Sequence, residues 1–201
     1  MPSIDQTAKA QFSKIFKSAD SSTFKRMADK YFERSVRLRK TDMSAFPPKM
    51  RLLARNIEKR LFIGIGTELL LKAVYLKHGF VINKAAGDAN AVPQFPFTAA
   101  QATAAGIKFD PGNTYMLNDL IQCLHRVPAI GSLGPLEPGL RIAKVFRNKE
   151  GHVVVGAHKF NPQEYREVEK ALVGIYARGF GQTLTVKISM GPKEKPIWKL
   201  S

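Results

Sequence analysis

The stretch Leu61-Phe62-Ile63-Gly64-Ile65-Gly66-Thr67-Glu68-Leu69-Leu70-Leu71-Lys72-Ala73-Val74-Tyr75-Leu76-Lys77-His78-Gly79 carries most of what the chain says about its architecture. Traced back to residue 49, it keeps an apolar stripe of Leu52, Leu53, Ile57, Leu61, Ile65, Leu69 and Ala73. Spacings of three and four predict one amphipathic helix over 49–79. Gly64 and Gly66 each weaken that helix by about 1 kcal/mol relative to alanine, so they are expected where another helix packs closely. Gly79 stands where a helix ends in left-handed backbone. The apolar run Leu61–Gly66 is soon followed by Glu68 and Lys72. A membrane span needs roughly 20 mostly apolar residues, so a core helix is expected here.

Working outward, residues 4–40 read as one or two basic helices, with Phe12, Ile15, Phe16, Phe24, Met27, Ala28 and Tyr31 at helical spacing and Ser22 as a plausible N-cap. Phe46-Pro47-Pro48 marks a boundary, because a residue before proline avoids helical geometry. Residues 80–112, with Gly87, Pro93, Pro96 and Pro111, read as a long loop-like insertion. Asn113 or Thr114 is then expected to cap a helix running to about Arg126, and 127–139 to form a second loop. Leu140 to about Val155 reads as helix. Asn161 and Pro162 suit the N-cap and first position of a last helix ending near Gly179. Leu184, Val186 and Ile188 alternate like a strand, which must pair with something, in this chain or in a partner. The expectation is one all-α domain over 1–201, with a core at about 49–178, N-terminal helices at 4–40 and a tail at 180–201.

Thirty-two Lys and Arg against sixteen Asp and Glu give a net charge of +16. Such an excess attracts polyanions, RNA above all. It is uneven: residues 1–60 hold 15 basic and 6 acidic side chains, 15 − 6 = +9. Arg34, Arg37, Arg39 and Lys40 are the densest cluster, to be read either as an RNA-backbone contact or as a solvating surface. Cys123, the single cysteine, rules out an internal disulfide and any multi-cysteine zinc site. With no apolar leader after Met1, a reducing cytoplasm is the expected location.

One segment suggests chemistry: Arg147-Asn148-Lys149-Glu150-Gly151-His152. Five helical residues turn about 500°, leaving Arg147 and His152 ~140° apart. They converge only near a helix end or a bend, and Gly151 permits one. A histidine titrating near neutrality can move the proton of a ribose 2′-OH. An arginine can stabilise the charge that builds on the attacked phosphate. Asn148 can orient a phosphate oxygen, and Lys149 can touch one. No cofactor or metal is called for. The plainer reading of the same residues is a solvated helix face.

With its Phe-Arg-Asn-Lys-Glu-Gly-His wording, and with the segment Gly66–Gly79 upstream in the right order, the chain resembles the HEPN family over roughly residues 49–178. That resemblance implies a four- or five-helix bundle forming a homodimer, with two copies of the motif lining one composite cleft. It also implies a metal-independent endoribonuclease leaving 2′,3′-cyclic phosphate and 5′-OH ends. Its implied biological role is that of a toxin in a toxin–antitoxin pair, or of an abortive-infection effector in antiviral defence. Arg147 would stabilise the phosphate, His152 act as acid or base, and Asn148 position. Val154 stands where one subtype has tyrosine, which argues against the version modified by a nucleotidyltransferase antitoxin.

Glu68, four residues before Lys72, is expected either to form an ion pair on the helix rim or to reach the cleft and orient Arg147 or His152. His158, His125 with Arg126, and His78 read as surface, core or helix-terminal groups, and Cys123 as a small buried hydrophobe. A non-catalytic module holding RNA or a partner protein remains the alternative. So does a regulatory subunit whose tail adds a strand to its partner.

Overall fold

The computed structural model describes residues 20–38, 44–45, 47–86, 92–150, 161–188 and 195–201. Among these residues the chain is mainly helical, built round one long central helix, with two small two-stranded sheets. Among the described residues no helix is long and apolar enough to cross a membrane.

Helix α1 (Ser21–Arg37) starts at Asp20, whose carboxylate accepts from the Thr23 amide. That bond holds the Asp20 pKa below its usual value. Ser22, expected as the cap, is the second residue of the helix and donates to Asp20 instead. Helix α2 (Pro48–Lys77) runs 30 residues, roughly 45 Å. Pro48 suits its first turn, where no amide partner is needed. It ends at His78 and Gly79, the latter at φ +79°. Its two halves differ. Leu70, Leu71, Lys72, Ala73, Val74 and Tyr75 are all buried, so helices or loops cover every side there. Leu52, counted in the apolar stripe, is 66% exposed.

The two glycines mark the helix contacts. Two residues turn about 200°, so Gly64 and Gly66 face nearly opposite ways. A Cβ on Gly66 would lie 2.8 Å from the Phe32 ring of α1, and one on Gly64 would lie 2.6 Å from the Arg147 amide. Arg147 belongs to helix α5 (Glu137–Glu150). Contacts of Ser21 with Ala73 and of Phe32 with Gly66 run α1 antiparallel to α2. Helix α6 (Pro162–Ile175) packs antiparallel on α5, with Leu136 against Gly174, Gly139 against Glu167 and Phe146 against Tyr165. Asn161 caps α6 in a reciprocal box with Glu164, and Pro162 opens it, as the sequence predicts. A π-helical turn (Tyr176–Phe180) extends α6 to the left-handed Gly181.

The insertion is not a loop. It holds β1 (Asn83–Ala86), helix α3 (Ala99–Ala104) and β2 (Lys108–Thr114), with β1 and β2 antiparallel. Asn113 and Thr114 therefore end a strand, and helix α4 (Leu117–Cys123) begins beyond them. The overriding signal is aromatic: Phe95 lies against Tyr75 and Tyr115, and Phe97 stacks on Phe109. Prolines and glycines mark breaks, but they do not reveal that the pieces between them share a core.

The tail strand finds its partner within the chain. β3 (Leu184–Lys187) pairs antiparallel with β4 (Ile197–Leu200). Trp198 stacks on Phe32 at 5.1 Å and meets the Tyr176 ring edge-on at 5.8 Å. Tyr176 also donates its hydroxyl to Asp29, and burial is the main cause of its raised pKa. Trp198→Ala is expected to lower unfolding stability by about 2–3 kcal/mol, since this ring is only half buried. The loss should appear as a lower urea midpoint and faster amide exchange in β3 and β4.

Candidate functional site

Glu68 points from α2 toward α5, one turn beyond Gly64. Its two carboxylate oxygens serve two cations. Oε1 accepts from Lys72 Nζ at 2.8 Å, and Oε2 accepts from Arg147 Nε at 3.3 Å across the seam. The expected i,i+4 pair with Lys72 is present, and the same carboxylate also meets Arg147. The Lys72 side chain is 7% exposed, that of Glu68 19% and that of Arg147 41%. Lys72 is the deep member of the cluster, and Arg147 is the one open to solvent.

Gly64 makes this geometry possible. Its missing Cβ lets the Arg147 backbone sit directly on α2, so the guanidinium needs only one turn of reach to meet Glu68. Asn148, about 100° further round α5, is exposed. Lys149 lies on the same helix. His152 and His158 fall outside the described residues, as do Arg39 and Lys40.

Lys144 was not among the expected site residues. It precedes Arg147 by three positions, about 60° apart on one helical face. Its ammonium donates to Asn118 Oδ1 of α4 at 2.6 Å. The lysine–arginine spacing was readable in the sequence; the neighbouring Asn118, 26 residues away in the chain, was not. Lys72 and Arg147 set against Glu68 leave one positive charge over in this triad, which favours an anion at the exposed end of Arg147.

The N-terminal basic cluster lies elsewhere. Arg34 and Arg37 are exposed on α1. The Arg34 guanidinium sits 4.9 Å above the Phe62 ring, and Arg37 is 3.8 Å from Glu33. Phe62 and Gly64 face opposite sides of α2, so Arg34 and Arg147 are not neighbours.

The remaining candidates have structural roles. Arg126 donates to the Phe95 carbonyl at 2.9 Å beside exposed His125, fixing the insertion. His78 Nε2 lies 3.3 Å from the Gly179 carbonyl oxygen, joining two helix ends. Cys123 is half buried, and desolvation pushes its thiol pKa up, which keeps it a protonated, weakly reactive group.

Glu68 is the electrostatic keystone. Glu68→Gln is expected to cost about 3 kcal/mol of stability, because it strands the buried ammonium of Lys72. Adding Lys72→Met should restore most of that loss in urea unfolding. Additive losses in the double variant would show that the two groups do not interact.

No family model, no curated protein and no solved structure matches this chain.

Proposed function

We propose that this chain is a homodimeric, metal-independent endoribonuclease of the HEPN type, acting in the cytoplasm as a toxin or antiviral-defence effector. The observation that supports it is the cross-helix pair. Arg147, at the end of a helix that leads into the Gly151-His152 segment, is fixed by Glu68 on one side and open on the other. A guanidinium held in advance lowers the cost of ordering it around a transition state.

The chemistry follows from those residues. The ribose 2′-oxygen attacks the adjacent phosphorus while His152 takes the hydroxyl proton. Arg147 compensates the charge growing on the phosphoryl oxygens. The bond from phosphorus to the 5′-oxygen breaks, and that oxygen is protonated, by His152 or by the same residue of a second copy. The products are a 2′,3′-cyclic phosphate and a 5′-OH. Asn148 positions the phosphate, with Lys144 and Lys149 drawing the strand in.

Incubation of the purified protein with end-labelled RNA in excess EDTA tests this reading. Cleavage with cyclic-phosphate ends is the expected result. Its absence, with RNA binding intact and weakening steeply as salt rises, would favour a second reading, a non-catalytic RNA-binding module. The exposure of Arg34 and Arg37 on a face separate from Arg147 is what supports that alternative.

A further inference from the structure

Lys144 is held differently from Lys25, Lys30, Lys72 and Lys170. Those four each meet a carboxylate, which takes up their charge. Lys144 instead donates to Oδ1 of Asn118 at 2.6 Å, and among the described residues this neutral amide is its partner. An ammonium carries three N–H groups and no acceptor, so the amide must face it with its oxygen, and two N–H groups are left over. The bond fixes the side chain without neutralising it. Both residues are half-buried, which shields the bond from water.

Three residues further along α5 stands Arg147, whose guanidinium is likewise fixed on one side and open on the other. Helix positions three apart carry Cβ atoms about 5–6 Å from each other. Phosphates repeat about every 3.4 Å along a stacked strand, and lie further apart in one drawn out. Two cations at this spacing can therefore take successive phosphates. Arg141, three residues before Lys144, is the contrast. Its Nε and a terminal amine both donate to Glu137, so its charge is already met.

We propose that Lys144 holds the phosphate next to the one on Arg147, with Asn118 as its positioning residue. This rests on reading the Arg147 face as a ribonuclease site. A free lysine loses much side-chain freedom when it binds. The Asn118 bond shifts that cost from binding to folding. The contact is made with substrate and transition state alike, so it sets KM and leaves kcat unchanged.

Three variants separate charge, position and fold. Lys144→Met removes the charge. Asn118→Asp keeps the oxygen that fixes Lys144 but neutralises the ammonium. Asn118→Leu keeps the charge and frees it. A poly-uridine RNA with 2′-O-methyl groups, which cannot be cleaved, reads binding. Ordinary RNA in EDTA reads kcat and KM. Lys144→Met and Asn118→Asp are each expected to weaken binding about tenfold, the weight of one charge-assisted hydrogen bond. Each should lower the slope of log affinity against log salt by about 0.7. KM should rise by the same factor with kcat unchanged. Asn118→Leu should lose less affinity and keep the slope, and Arg141→Met should change affinity less than about twofold. The melting temperature of Asn118→Asp should equal or exceed that of the wild type, since an ion pair replaces a neutral bond and an acidic residue suits the first turn of α4. Weaker binding in that variant then cannot come from lost structure. Wild-type affinity in Asn118→Asp overturns the proposal. So does a loss in Lys144→Met no larger than in Arg141→Met, or a fall in kcat at unchanged KM. The expected binding effects without cleavage of ordinary RNA would strike the ribonuclease reading and keep Lys144 as a phosphate-holding group. No binding of either RNA by the wild type overturns both.

Discussion

Arg147→Ala is expected to slow metal-free RNA cleavage by about 10²–10³, the usual cost of removing one preorganised charge from a phosphoryl or acyl transition state. His152→Ala should cost about 10²–10⁴, the range for losing a general acid or base. The double variant should be scarcely slower than the worse single one, because groups acting on one transition state are not additive. Arg147→Lys is the sharper probe. It keeps the charge and still reaches Glu68, but it cannot offer two parallel hydrogen bonds to a phosphate. Most of the activity should therefore be lost with folding intact. Arg147 is 41% exposed and Glu68 keeps its bond to Lys72 in its absence. Its pair with Glu68, discounted for solvent, contributes about 1 kcal/mol or less to stability. A fall in cleavage that merely tracked a fall in melting temperature would remove Arg147 from the chemistry. Cleavage unchanged in Arg147→Ala would overturn the proposed role outright.

The central helix was legible because a single element carried its own evidence. Apolar residues at helical spacing, a proline at the start and Gly79 at the end fixed 48–77 to within a residue or two. Its two interior glycines announced close neighbours but not which ones. Only the fold assigns α5 to Gly64 and α1 to Gly66. The 80–114 segment was misread for a complementary reason. Its strands are short, β1 only four residues, and the pairing from Ala86 to Lys108 spans more than twenty residues. No local pattern encodes such a contact. The tail strand was legible, but its partner Ile197–Leu200 was hidden behind the Pro192-Lys193-Glu194-Lys195-Pro196 stretch, which reads as a break.

At the site, the same limit applied. Glu68 and Lys72 are an i,i+4 pair that any helix displays. That the second oxygen of Glu68 meets Arg147, 79 residues later, is a tertiary fact. Two plausible uses of one carboxylate had been posed as alternatives. A carboxylate has two oxygens, and Glu68 spends one on each cation.

Gly64→Ala is expected to separate position from composition at the site. Alanine should help the isolated helix by about 1 kcal/mol. In the fold its Cβ would lie 2.6–2.8 Å from the Arg147 amide nitrogen, Cα and Cβ. Those atoms belong to the packed backbone of α5 and cannot swing aside like a flexible side chain. The helix must move outward, and overpacking of this kind costs about 1–3 kcal/mol. The net loss should be about 0–2 kcal/mol, and Gly64→Val should lose more. The larger effect concerns function, since no chemical group of the site has been altered. A shift of α5 near 1 Å carries Arg147 away from Glu68, and a misplacement of that size can cost about 10²-fold in rate. Gly66→Ala is the matched control. Its Cβ would meet the Phe32 ring at 2.8 Å, so it too should destabilise, but by displacing α1 on the opposite side of α2. Equal losses of stability in the two variants, with cleavage reduced only in Gly64→Ala, would show that the α2–α5 seam sets the guanidinium's position. Equal losses of cleavage would mean that activity reports global stability alone, and the seam would have no special part in it.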